Sequence, residues 1–147
     1  MSKISNKLTV LVNTCDLYKD IWPLFFAALD EYWPNRTVSL ILNTEKEKYN
    51  IANNVFISNF TAVDGNDSWG LRLIKSLTNI DTEYVLVVYD DFILEGVFDE
   101  QELNTLICRM DDDPNIAAVY LTKLGLQTNK NNNLINDREI FKNKYEI

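Results

Sequence analysis

Two kinds of apolar pattern alternate along the chain: short runs too brief for an amphipathic helix, and longer stretches in which apolar residues return every three or four positions. The short runs read as buried strands and the longer ones as helices laid against them. Lys7 to Asn13 (Lys-Leu-Thr-Val-Leu-Val-Asn) is the first run and closes on the polar turn Thr14-Cys15-Asp16. From Ile21 to Trp33, helical spacing puts Ile21, Leu24, Phe25, Ala28, Leu29 and Tyr32 on one face, with Asp20 as candidate N-cap and Pro34 as stop. A second strand follows at Thr37 to Asn43, then a charged loop from Thr44 to Tyr49 and a short strand at Asn54 to Ser58. Ser68 can cap a helix with Leu73, Ile74 and Leu77 facing inward, which leads into a strand at Tyr84 to Tyr89. Asp99 with Glu102 forms a capping-box pattern ahead of Leu103, Leu106, Ile107 and Met110. Asp111-Asp112-Asp113-Pro114 ends that helix, and Ile116 to Leu121 reads as a further strand.

Strands alternating with helices imply an α/β fold with a mainly parallel, right-handed sheet flanked by helices. Residues 1–125 form one such unit, whereas Gln127 to Asn136 is polar, rich in asparagine and without apolar period. Residues 126–147 therefore read as a linker and the start of a truncated segment.

The strand from Glu83 to Phe92 ends on Asp90 and Asp91. Its apolar run predicts burial on both faces, so the two carboxylates must emerge at its end, where open α/β sheets bind ligands. Adjacent acids repel, and a divalent cation relieves that repulsion; with only oxygen ligands to hand, the ion would be Mg2+ or Mn2+. An Asp-Asp turn opening a loop is the competing reading. The Asp111 to Asp113 run is read as a solvated helix end rather than a second metal site.

Composition narrows the chemistry. The chain has 147 residues, 46% of them hydrophobic, which is ample for one core. A net charge of -8 with no concentrated basic face argues against binding a nucleic acid polymer. The absence of any histidine removes histidine-dependent catalytic triads and the commonest zinc ligand. Cys15 and Cys108 lie far apart and read as buried small groups or free thiols rather than a disulfide. No stretch has the length of a bilayer span and the N-terminus lacks a signal-peptide core, so the expected location is the cytoplasm, with peripheral membrane association left open.

In a parallel sheet the ends of the first, second and fourth strands share one edge, gathering Thr14 to Asp16, Asn43 to Glu45 and Asp90-Asp91. The helix starting near Ser68 turns its N-terminal amides and Arg72 to the same side, where they can meet an anion. In this order, Asn13-Thr14-Cys15-Asp16, Asn43-Thr44, Trp69-Gly70-Leu71-Arg72-Leu73-Ile74 and Val88-Tyr89-Asp90-Asp91 resemble the nucleotide-sugar-binding half of GT-A fold, family-2-like glycosyltransferases. The resemblance runs from about Leu8 to Leu121. It implies a Rossmann-like domain that takes a nucleotide-diphosphate sugar and passes the sugar to a carbohydrate or lipid-linked acceptor, in polysaccharide or lipopolysaccharide biosynthesis. By the same resemblance Asp91 would ligate Mn2+ or Mg2+ and Asp90 would reach the donor's ribose or sugar, or the metal through water. Thr14 and Asp16 would lie beside base and ribose, Asn43 would touch the base edge, and Arg72 would bind donor or phosphate. Tyr89 stands where the common motif has its first acid, and the acceptor-binding half that carries the base of inverting members is scarcely present. Two other readings stay open: a non-catalytic nucleotide-binding or interaction domain, and a receiver-like signalling module with Thr122-Lys123 near a late strand end.

Overall fold

The most thoroughly buried stretch of the chain is β1 (Leu8–Asn13), in which all six residues are hidden from solvent. It earns that burial by position: β2 (Ser39–Thr44) lies on one side of it and β4 (Tyr84–Tyr89) on the other, with β3 (Ile57–Thr61) beyond β2. The order is β3-β2-β1-β4 and every pairing is parallel. These facts come from a computed structural model that describes residues 3–49, 57–61, 66–119 and 121. The expected α/β character with a parallel sheet and flanking helices is thus present.

Two compact units divide the chain, Met1–Asn104 and Thr105–Ile147. The boundary expected at 125/126 and the segment 126–147 lie outside the described residues.

In the first unit, β1 to β2 runs through α1 (Trp22–Tyr32), and β3 to β4 runs back through α2 (Trp69–Thr78). Right-handed crossovers in opposite directions put the two helices on opposite faces of the sheet. The faces follow from the register. Asn13 is aligned with Asn43 on one side and Tyr89 on the other, so Asn43, Asn13 and Tyr89 form one row across a single face. Tyr89 stacks on Trp69, which identifies this as the α2 face. The opposite face carries Val10, Val12, Leu40 and Leu42, all buried.

Several expectations are corrected. Helix α1 starts without a side-chain cap, with Ile21 at the N-cap position and Pro23 in the first turn in place of an Asp20 cap. Proline lacks the N–H that a cap would otherwise satisfy. The buried face of α1 is Trp22, Phe25, Phe26, Ala28 and Leu29, rotated from the expected one, and Leu24 is exposed. Tyr49 draws the face round: its ring stacks on Phe26 at 5.1 Å and meets Trp22 edge-on at 6.1 Å. Helix α2 has the expected Ser68 cap, with Ser68 Oγ accepting from Leu71 N–H at 3.4 Å. Its buried residues, however, are Arg72 and Ser76, while Ile74 and Leu77 are exposed. The sheet row ahead of α2 is polar, and the polar stripe of the helix is the one turned inward.

Strand β4 occupies the expected residues but is not buried on both faces: among the described residues it is the last strand of the sheet, and Val87 is 38% exposed. An apolar run reports burial demand, which β4 meets on one flank only. The third strand lies at Ile57–Thr61 rather than 54–58, with residues 54–56 outside the described set. At the far end of this unit, Trp33 stacks on Phe98 at 4.2 Å and donates from Nε1 to Glu100 at 3.2 Å, fastening the end of α1 to the start of α3 (Glu100–Asp112). Asp99 caps α3 as expected, its Oδ1 accepting from the Gln101 and Glu102 N–H groups at 2.9 and 3.0 Å.

In the second unit the helix ends where the acidic run and Pro114 predict, and Asp113 Oδ1 then accepts from Asn115 N–H at 3.1 Å in a tight turn. Residues 116–119 and 121 carry no strand, against expectation. A run of that composition needs a ladder partner, and none pairs with it among the described residues. Cys108 is exposed and Cys15 half-buried, both free, so the thiols are unpaired as expected but not hidden.

The rotated α1 face has a direct consequence. Phe26→Ala should cost about 3–5 kcal/mol of unfolding free energy and Leu24→Ala less than about 0.5 kcal/mol. Urea denaturation of both variants checks this, and a larger loss at Leu24 would restore the face read from spacing alone.

Candidate functional site

The sheet order reverses direction between β1 and β4, and the carboxyl end of that junction is where an open α/β sheet offers a crevice. Because Asn13 is in register with Tyr89, the next residues, Thr14 and Asp90, face each other across it. Their side chains meet: Thr14 Oγ1 donates to Asp90 Oδ2 and accepts from Trp22 Nε1–H at 2.9 Å. All three residues are buried.

The turn that follows β4 then separates the two acids. Asp90 turns inward to Thr14, while Asp91 stands exposed at the corner of a turn closed by Phe92 N–H donating to Tyr89 O at 3.0 Å. Asp91 has no hydrogen-bond or ion-pair partner among the described residues.

Asp16 has a different occupation. Its Oδ1 accepts from Glu45 N–H at 3.0 Å and its Oδ2 from Lys46 and Glu47 N–H at 2.9 and 3.2 Å, while its own N–H donates to Glu45 Oε2 at 3.1 Å. The side chain clasps the loop after β2 to the loop after β1. Outside that clasp Lys19 Nζ donates to Glu47 Oε1 at 3.1 Å. This hydrogen bond and the neighbouring charge hold the Lys19 ammonium above its ordinary pKa. A raised pKa means the lysine's contribution is present through neutral pH and is lost as alkaline pH deprotonates the ammonium.

The α2 face of the same edge holds polar groups that the fold leaves unpaired. Asn13 and Asn43 are 2% and 0% exposed, and Asn43 Nδ2 donates to Asn13 Oδ1 at 2.7 Å. Asn13 Nδ2 and Asn43 Oδ1 have no partner among the described residues. Turning both amides over would exchange which residue holds the orphan donor and which the orphan acceptor, without removing either. Arg72, 4% exposed, brings a guanidinium whose Nε and one terminal nitrogen also lack a hydrogen-bond acceptor among the described residues. That terminal nitrogen lies 3.5 Å from Glu45 Oε1, close enough for an ion pair but too far for a good hydrogen bond. Four of the five orphaned buried side-chain atoms found among the described residues belong to Asn13, Asn43 and Arg72.

The structure therefore gathers Thr14, Asp16, Asn43, Arg72, Asp90 and Asp91 at one end of the first unit, but in unequal roles. Thr14, Asp16 and Asp90 are tied into the fold, Asn43 and Arg72 keep unused polar capacity, and Asp91 is free. Sequence reading left out Asn13, Trp22 and Glu45 as site residues. Their signals were the repeat of Asn at the ends of two adjacent strands, an acid just beyond the second, and a Trp at a helix start.

Among the described residues no group of three or more His, Cys, Asp and Glu side chains could hold a metal ion. An all-protein cation cage is thus not built from them. Of the two acids expected to serve a cation, Asp91 alone keeps its carboxylate without a hydrogen-bond partner among the described residues. Comparison of the chain with known protein families, with curated proteins and with solved structures finds no match.

The Thr14 hydroxyl should show its importance on deletion. Thr14→Val strands both the Trp22 N–H and the Asp90 carboxyl, for an expected loss of about 2–4 kcal/mol, and Thr14→Ser should recover most of it. Equal stability of the two variants in urea denaturation would remove the hydroxyl's assigned role.

Proposed function

We propose that this chain is a glycosyltransferase, or the donor-binding half of one, that takes a nucleotide-diphosphate sugar at the carboxyl edge of its sheet. The observation carrying this reading is the buried Arg72 guanidinium with unpaired N–H groups, on the same sheet edge as Asn13 and Asn43 and the exposed Asp91. A buried cation whose one acid lies too far for a good hydrogen bond keeps idle donors at a cost, and an anionic ligand accepting those hydrogen bonds offsets it. A diphosphate supplies that charge, and the paired orphan donor and acceptor of Asn13 and Asn43 match the donor and acceptor edge of a nucleobase.

On this reading Arg72 binds the diphosphate and Asn13 and Asn43 address the base edge. Thr14 and Trp22 fix Asp90 beneath the sugar-nucleotide bond, and the Asp16 clasp holds the two loops at a constant spacing. Asp91 would hold Mn2+ or Mg2+, which when bound supplies charge neutralisation as the nucleoside diphosphate leaves. The acceptor is a carbohydrate or lipid-linked sugar, the setting is polysaccharide or lipopolysaccharide assembly, and the location is the cytoplasmic side of a membrane. No helix among the described residues is long and apolar enough to cross a bilayer.

The test is calorimetric titration of UDP and GDP with and without Mn2+. Binding of at least one nucleotide is expected, lost without Mn2+ and in Asp91→Ala. A second variant separates function from fold: Arg72→Met removes a poorly satisfied buried charge while keeping length, so nucleotide affinity should fall at least about tenfold with Tm within about 3 °C of the parent or above it. A large fall in Tm with unchanged affinity would make Arg72 a structural residue and remove the main support for the donor site.

A further inference from the structure

Beside the candidate donor site lies an aromatic group that packing does not account for. Tyr89 closes β4, and Trp69 opens α2 and stacks on it with ring centroids 6.2 Å apart and planes 12° from parallel. Phe92 meets the Tyr89 ring edge-on at 5.5 Å and 88°. In a core such a trio would be enclosed, yet Trp69 is 51% exposed and Phe92 46% exposed. Next to Trp69, a Cβ added at Gly70 would meet no described atom within 4 Å beyond its chain neighbours and its own helix backbone. The turn that joins Tyr89 to Phe92 carries the unpartnered carboxylate of Asp91 at its corner.

We propose that Trp69, Tyr89 and Phe92 form a platform for a pyranose ring, with the Asp91 oxygen that a cation would leave free accepting a hydrogen bond from a ring hydroxyl. The chemistry of the patch selects this ligand. An aromatic face is electron-rich and attracts the slightly positive C–H groups that line one face of a pyranose, while a lone carboxylate at the margin accepts O–H donors from the rim. A wholly apolar partner would leave the Asp91 charge desolvated without compensation. Half-exposed aromatics beside one polar group are what a neutral polyhydroxylated ring requires. The proposal rests on the glycosyl-transfer reading for its biological sense, and deepens it by giving the sugar a place. The pyranose can belong to the donor or to a saccharide acceptor.

The test uses the full chain labelled with 5-fluorotryptophan and followed by 19F NMR, with Trp69→Phe assigning the Trp69 signal. One arm titrates the methyl pyranosides of glucose, galactose, mannose and N-acetylglucosamine to about 50 mM, a range suited to weak sugar binding. The other arm compares UDP-glucose, UDP-galactose and UDP-N-acetylglucosamine with UDP. A saturable shift of the Trp69 signal by a free pyranoside identifies an acceptor sugar, and a shift by a UDP-sugar beyond that by UDP identifies the donor sugar. The buried Trp33, at the far end of the unit, should not respond. Trp69→Ala and Phe92→Ala should each weaken the sugar effect about fivefold, measured on the remaining platform by titration calorimetry, with UDP affinity unchanged within about twofold. UDP binding without any sugar response at Trp69, or sugar affinity unaltered in both variants, would overturn the platform and leave the donor site standing. A pyranoside response without nucleotide binding would support the platform and remove the donor site.

Discussion

The Thr14 hydroxyl is the joint on which this end of the molecule depends. It lies where the sheet order reverses and couples the end of β1 to the residue after β4 through Asp90, and to the start of α1 through Trp22. A hydroxyl has one hydrogen to give and lone pairs to receive, so it can join an acceptor to a donor that cannot satisfy each other directly. The position is set by register: parallel pairing of Asn13 with Tyr89 makes Thr14 and Asp90 neighbours, with no loop conformation needed to bring them together. The most rigid contact of the edge therefore follows from strand alignment, which hydrophobic burial of β1 enforces.

Against that rigid joint the α2 side of the same edge is left unfinished. Arg72, Asn13 and Asn43 are buried as deeply as core residues, yet they retain donors and an acceptor that the described residues do not pair. Buried polar groups are normally satisfied, and exceptions cluster where a fold gives up stability for a purpose. An apolar residue at position 72 would serve packing better, since the guanidinium's closest acid, Glu45, is half-buried and out of good hydrogen-bonding range. Local cost at a site that a ligand can repair is the physical basis of the donor-site proposal.

Much of this was legible in the sequence, and what was not has identifiable causes. The strands at Leu8–Asn13 and Tyr84–Tyr89, the Ser68 and Asp99 caps and the stop at Pro114 each depend on local chemistry, which sequence records directly. Burial of β4 was overread because an apolar run does not say whether a strand ends its sheet. The inward face of α2 was misread because helical period finds the apolar stripe, whereas the partner surface here is the polar row containing Asn13 and Asn43. The Asp16 clasp was out of reach for another reason: it joins residues about 30 positions apart through backbone N–H groups, which every sequence possesses. Local signals located the edge, but only the pairing pattern separated residues that build it from residues left free.

The division between Asp90 and Asp91 shows why that separation matters. The two acids lie in the turn that follows β4, and that turn buries Asp90 while leaving Asp91 exposed. Here Asp90 is consumed by Thr14, which leaves one carboxylate facing solvent. With one protein ligand and no cage among the described residues, intrinsic cation affinity would be weak, and coordination would have to be completed by an incoming diphosphate and water. On the proposed reading metal and nucleotide would then bind as a unit, each raising the affinity of the other by the same factor. On that reading strong coupling is what a site with one free acid and one underused arginine would give, whereas a carboxylate cage would hold its ion with little help from the nucleotide.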